Sequence, residues 1–456
     1  MIHELDIKNF KAWAASGKIR MAPLTIFCGN NSSGKSSIAQ FLLMLKQTIE
    51  SYDRQRVLHL GDEKSLVDLG VFHDVVHNHN VKNNLEFKLS FDTDEITITD
   101  AVKGKQLGSY TQLEFEAKIS SPSSEGIIQL KKFLYTLPNG HPMSFGLQLD
   151  KGKYKLITDN YSAKRQKGRA WNVGQPENFF GFPNEAVAYY QNTGFLQDLS
   201  LAIINLFKSM YYVGPLRGHP KRVYQFSGQV PPDVGEKGEQ SINAILAAKS
   251  QGRMISKGFK QKSEQFDVLI ARWLVQMGLI HSFRVIPITK GRIEHEVKIK
   301  INANSPEVLI TDVGFGISQI LPVIVQCFYV KEESILFFEQ PEIHLHPSVQ
   351  AHLGDLFIEA IHSRENGQER NTQIVVESHS EHLIRRIQRR IAEEKLNADD
   401  VALYFITQES GEAKLIELEV DSNGNIKNWP NNFFGDDLED LRAMTYAAMK
   451  RKTSKK

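Results

Sequence analysis

The 456-residue sequence predicts an α/β fold with a mostly parallel sheet at its core, an antiparallel β lobe and a helical insertion. Three observations predict it. Near the N-terminus a buried-strand pattern, Leu24-Thr25-Ile26-Phe27-Cys28, runs through a glycine-rich loop into an apolar-periodic helix starting at Ile38. From residue 313 onward helix and strand patterns alternate, as a mostly parallel sheet requires. Between these ends, residues 84–150 alternate apolar and polar side chains, as in Leu85-Glu86-Phe87-Lys88-Leu89-Ser90-Phe91, the period of half-buried antiparallel strands.

Five segments follow in order. Residues 1–80 hold the N-terminal part of the core, with a strand, a turn, a second strand, the loop and its helix. Residues 81–210 are the β-rich lobe. Residues 211–300 are a helical insertion with return strands: 239–280 is helical in pattern and free of proline, and 281–312 returns to strands. Residues 301–400 complete the core, and 401–456 add a strand and helix extension. Its basic tail, Lys450-Arg451-Lys452 and Lys455-Lys456, is expected to fray.

Composition narrows the function classes. With 55 basic against 53 acidic side chains, nucleic-acid binding would need a local patch. Lys164, Arg165, Lys167 and Arg169 form either such a patch or a solvated loop. Cys28 and Cys327 each sit in an apolar run and read as buried hydrophobes, which suits a cytoplasmic chain. The N-terminus has no signal-peptide pattern, and the longest apolar run, 317–330, is too short to span a bilayer.

The loop itself is Gly29-Asn30-Asn31-Ser32-Ser33-Gly34-Lys35-Ser36-Ser37, a phosphate-binding loop in a strand–loop–helix frame. Gly29 and Gly34 let backbone N–H groups, Asn31 and Ser37 among the loop residues, close around phosphate oxygens. The helix N-terminus adds partial positive charge. Lys35 reaches the β- and γ-phosphates and the Ser36 hydroxyl ligates Mg²⁺. The expected ligands are therefore ATP and Mg²⁺.

Three further signals join it. Ser334-Ile335-Leu336-Phe337-Phe338-Glu339 is a buried strand delivering a carboxylate at its C-terminal end, where open α/β sheets bind ligands. Glu339 is the expected magnesium-side acid. Gly314-Phe315-Gly316-Ile317-Ser318 opens an apolar helix whose free N–H groups suit an anion. Gln373-Ile374-Val375-Val376-Glu377-Ser378-His379 is another buried strand with His379 at its tip.

Together these motifs resemble the nucleotide-binding heads of the ABC and SMC/RecF group. The resemblance implies that Gly314, Gly316 and Ser318 act in trans on ATP held by another copy, making a dimer of heads or a higher homo-oligomer. It makes His379 a switch histidine, and places Lys11 of the Asn9-Phe10-Lys11 turn beside the nucleotide. Glu339-Gln340-Pro341-Glu342-Ile343-His344-Leu345-His346-Pro347 and Glu377-Ser378-His379-Ser380-Glu381-His382-Leu383 look like AAA-family ATPases related to OLD-type proteins. Tyr212-Val213-Gly214-Pro215-Leu216-Arg217 fits the same family. The ending Trp429-Pro430 through Phe433-Phe434-Gly435-Asp436 resembles one branch, the ATPases of Septu anti-phage defence systems. That branch implies a separate HNH nuclease partner.

Gln340 departs from the cassette pattern, where a general-base Glu follows the magnesium acid. An amide orients water but accepts no proton, so hydrolysis should be slow or absent, with Gln340 and His379 as the catalytic-position residues. His344, His346 and Glu342 raise the question of a metal, yet zinc wants three or four ligands and no others are obvious nearby, so no zinc site is expected. Arg385, Arg386, Arg389 and Arg390 line one helix; Glu393 and Glu394 make a solvated face one reading, and DNA the other. Near Asp421 no Asp-x-Asp follows a buried strand, which argues against a nuclease site here. A stand-alone SMC/RecF-like DNA-repair ATPase and an OLD-like nuclease with a degenerate site are the alternatives.

Overall fold

The computed structural model describes residues 1–102, 104–121, 127–140, 142–168, 172–430 and 444–445. Arg169, the 431–436 ending and the basic tail lie outside the described residues.

A six-stranded sheet forms the centre, in the order Met210–Val213, Ile335–Glu339, Gln373–Glu377, Leu24–Gly29, Val401–Glu409, Glu412–Glu417. The first five strands are parallel neighbours and the last two form a hairpin. Register sets Glu339 beside Glu377, and Glu377 beside Phe27. Both acids and the phosphate loop therefore leave the same edge of the sheet.

The central strands, Ile335–Glu339, Gln373–Glu377 and Leu24–Gly29, are buried and largely apolar because both faces are covered. Alternate side chains enter opposite cores, as the strand period of two dictates. Phe27, Phe337, Val375 and Tyr404 enter one core, and Ile26, Phe338, Val376 and Leu403 the other. The first core also holds the helices Lys35–Glu50 and Leu196–Lys208 and the inner face of the β lobe. The second is closed by Ser241–Ser250, Phe266–Gln276, Phe315–Tyr329, Pro347–His362 and Glu381–Ala392. Cys28 and Cys327 are free thiols buried on this second side.

The antiparallel sheet has eight strands, with Ile2–Phe10 hydrogen-bonded to Leu85–Asp100. The first strand of the chain thus lies in the lobe's sheet, although it precedes residue 81. Phe41 of the phosphate-loop helix joins the two parts, its ring 5.2 Å from Phe10 and 5.1 Å from Phe87.

The stretch 239–280 is not continuously helical. A hairpin, Met254–Ser256 with Ser263–Gln265, separates its two helices. Gly252, at φ +65°, ends the first helix region, and Met254–Ser256 pairs also with Arg364–Glu365. A tertiary strand partner overrides the helical pattern there.

Candidate nucleotide-binding site

The loop conformation follows from its glycines. Gly29 has φ +142°, and a Cβ there would meet the Ile406 carbonyl oxygen at 2.0 Å. Gly34 has φ +101° and caps the Lys35–Glu50 helix. The indole of Trp13 donates to the Gly34 carbonyl at 3.1 Å. Lys35 is buried and donates to the carbonyls of Gly29 at 3.1 Å and Asn30 at 2.5 Å. Burial first holds its ammonium below the ordinary lysine value.

Lys11, Asn31, Gly34, Lys35, Ser36, Ser37, Gln340, Glu377 and His379 line one cleft of about 370 Å³, a normal size for a small-molecule site. Lys11 sits in a left-handed turn at φ +48° and donates to Gln40 at 2.6 Å. Gln340 is also left-handed, at φ +43°. Its N–H donates to the Glu377 carbonyl at 2.8 Å, while Arg217 donates to the carbonyls of Glu339 at 3.2 Å and Gln340 at 3.4 Å. That clamp fixes the Gln340 backbone at the cleft wall.

The acids divide. Ser36 Oγ donates to Glu377 Oε1 at 2.9 Å, whereas Glu339 Oε2 accepts the Tyr212 hydroxyl at 2.6 Å. Burial, then the neighbouring Glu339, push Glu377 up to about 7. Glu342 is buried, accepts the His379 N–H at 2.6 Å, and is raised by burial. Burial, then Lys35, hold the His379 imidazole below its usual value. Arg217 is 5 % exposed, and burial brings its guanidinium down to about 10. Oxygen donors at Ser36 and Glu377 in the cleft suit a hard cation such as Mg²⁺, with Glu339 on the neighbouring strand end, and Glu377 Oε2 is buried without a hydrogen-bond partner.

Gly314, Gly316 and Ser318 line none of this cleft. Gly314 is exposed at the start of its helix, and a Cβ there would meet nothing within 4 Å. Ser318 is 8 % exposed, one turn in, facing Gly218, Lys221 and Tyr224. Glu377, Tyr212 and Arg217 were not singled out from the residues alone. Glu377 had a readable signal, since Gln373–Glu377 ends in an acid just as Ile335–Glu339 does.

Other motifs resolve into structural roles. His346 caps the Pro347–His362 helix, its Nδ1 accepting from Ser348 N–H at 3.3 Å. Arg386 and Arg390 bind Asp355; Arg385 pairs with Glu381 and Arg389 with Glu393. Arg390 also meets Glu393. This stripe is charge-compensated, which favours the solvated-face reading. Asp421 caps a turn, accepting from the Asn423 and Asn425 N–H groups at 2.9 Å each.

Among known protein families, the one described as "AAA domain, putative AbiEii toxin, Type IV TA system" matches residues 24–385. A family described as "Protein of unknown function (DUF3696)" matches residues 396–444. No curated protein matches. Among solved structures, an SMC head bound to the C-terminal winged-helix domain of ScpA is similar at 11 % identity and a TM-score of 0.43, covering 92 % of this chain and 98 % of that one. The SMC head domain from Thermotoga maritima gives 12 %, 0.40, 92 % and 99 %. An SMC head from Pyrococcus furiosus, bound to the C-terminal domain of ScpA, gives 10 %, 0.41, 92 % and 96 %. No helix among the described residues is long and apolar enough to cross a membrane.

Proposed function

The chain belongs to the AAA-domain family described as putative AbiEii toxin, Type IV TA system, and we propose that it is an ATP-binding regulatory scaffold that hydrolyses slowly or not at all. One observation carries the reading. The phosphate loop, Gln340, a strand-end carboxylate and His379 converge on a single cleft. When bound, Mg-ATP supplies a triphosphate for Lys35, the loop N–H groups and the helix N-terminus to hold. Ser36 and one of the two neighbouring strand-end acids, Glu339 in the sequence reading or Glu377 beside Ser36, would hold the metal. Arg217 holds the Gln340 backbone at the cleft, and its side-chain amide could orient water but not take its proton.

Two copies are proposed to close over ATP, with the exposed Gly314 end of one meeting the cleft of the other. Leu216, 75 % exposed beside Arg217, is an apolar contact available to that partner. The finer assignment is to the Septu ATPase PtuA, acting in the cytoplasm and controlling a separate HNH nuclease subunit of the PtuB kind. DNA contact would need a basic surface other than the paired arginine helix.

Size analysis of the purified chain with and without Mg-ATP tests the scaffold. Wild type should self-associate or remodel on ATP, whereas Lys35→Ala and Gly314→Arg should not respond. Gly314 is preferred to Ser318, because arginine at the buried Ser318 would disturb the fold. An assembly indifferent to ATP in all three proteins rejects the shared site. Steady phosphate release well above about one per minute, lost in Lys35→Ala, rejects slow hydrolysis.

A further inference from the structure

The carboxylate bonded to the Ser36 hydroxyl ends the Gln373–Glu377 strand, which the sequence marked only for His379 at its tip. In a phosphate-loop site the hydroxyl after the lysine is a magnesium ligand. A carboxylate serving the same ion must approach that hydroxyl. Glu377 does so, its Oε1 accepting from Ser36 Oγ at 2.9 Å. Its other oxygen, Oε2, is buried with no hydrogen-bond partner, in a residue only 2 % exposed. A buried carboxylate oxygen without donor or cation is unfavourable. A hard cation beside Ser36 satisfies it.

Glu339 is placed differently. It lies one strand further from the phosphate-loop strand than Glu377. Its Oε2 accepts the Tyr212 hydroxyl at 2.6 Å. Tyr212 is held by parallel pairing opposite Phe337, and Arg217 holds the Glu339 carbonyl at 3.2 Å. Glu377, and not Glu339, is among the residues that line the cleft with Ser36.

We propose that Glu377, not Glu339, is the carboxylate that holds Mg²⁺ together with Ser36, and that Glu339 is a positioning residue clamped by Tyr212 and Arg217. This assignment rests on the ATP-binding reading above. It also explains why two acids stand side by side on neighbouring strand ends. One faces the loop serine, and the other anchors the segment that carries Gln340.

The test measures binding of a fluorescent ATP analogue to the full chain in EDTA and in Mg²⁺, and Mn²⁺ occupancy with ATP by electron paramagnetic resonance. Mn²⁺ is a fair probe because it accepts the same oxygen ligands. Wild type should bind in EDTA and tighten about tenfold with Mg²⁺, the scale of one charge-assisted contact. Glu377→Gln should keep its EDTA affinity but lose the Mg²⁺ increment and the bound Mn²⁺ signal. Glu339→Gln should keep both within about twofold. Retained EDTA affinity shows that each variant is folded. Tyr212→Phe, which frees Glu339 without touching Glu377, should leave the increment unchanged. An increment that survives Glu377→Gln but is lost in Glu339→Gln overturns the assignment while leaving the ATP reading intact. A Tyr212→Phe increment that rises or falls also overturns it. A wild-type chain that binds no ATP analogue in either buffer overturns both.

Discussion

The two large sheets of this molecule handle polar residues in opposite ways. The parallel sheet is covered on both faces, so Ile335–Glu339 and Gln373–Glu377 are apolar until their ends. Its chemistry is left to one edge. The antiparallel sheet is covered on one face only, and its other face carries cross-strand pairs such as Lys88–Glu114, Lys118–Glu86 and Lys132–Glu116. A carboxylate at the parallel edge is fixed by the whole sheet and has few alternative partners. A carboxylate on the open face has water and several neighbours. Function should therefore be concentrated at the edge, and the open face should be tolerant.

The largest effect should come from the shared cores. Phe338 and Phe115 are both fully buried, so alanine at either should cost about 3–5 kcal/mol by denaturant unfolding. The comparison sharpens in a second readout. Phe338→Ala should also weaken ATP binding, since it loosens the strand that carries Glu339 and Gln340. Phe115→Ala should weaken it less at matched folded fraction. Equal losses would mean that the lobe supports the cleft as directly as the sheet does.

Next in size is Lys35→Ala, expected to weaken ATP binding about 100-fold in a fluorescence titration, the cost of losing a charged partner to phosphate. Unchanged affinity would remove the nucleotide from this cleft.

A smaller effect comes from pH. Burial and then Glu339 raise Glu377 to about 7, above an ordinary carboxylate near 4.3. The folded chain therefore keeps a proton there that the unfolded chain has released. Stability from this group is fully present below about pH 4.3 and is lost as pH rises through about 7. The metal-free thermal midpoint should fall by ~2–4 °C between pH 5 and 8. Glu377→Gln should flatten that slope. A steeper slope in the variant would place the titration elsewhere.

The contrast between sheets also decides what could be read from the sequence. The phosphate loop, the strand before it and the Ile335–Glu339 strand were legible because local pattern determines them. The alternation of the lobe was legible for the same reason. The order of the parallel sheet was not, because Leu24–Gly29 pairs with strands from the other end of the chain. Choosing between Glu339 and Glu377 needed that order, since both end an apolar run. The Met254–Gln265 hairpin was missed because its strands are three residues long and stabilised by a distant partner, Arg364–Glu365. The arginine helix left two readings open because Asp355, its main partner, lies on another helix.

The smallest effect should be on the open face of the lobe. Lys118 meets Glu86 at 2.7 Å, yet the two side chains are 45 % and 36 % exposed. Solvent screening and the ordering of a long side chain cancel most of such a pair. Lys118→Ala should therefore change stability by no more than about 0.5 kcal/mol and leave ATP binding unaltered. Exchanging the two residues, Lys118→Glu with Glu86→Lys, should be equally silent, because neighbouring pairs of both signs remain. A loss of nucleotide-driven assembly in either variant, with stability intact, would break the comparison. The face would then be a docking surface whose charge pattern is read by another chain, and tolerance to mutation would no longer follow from exposure alone.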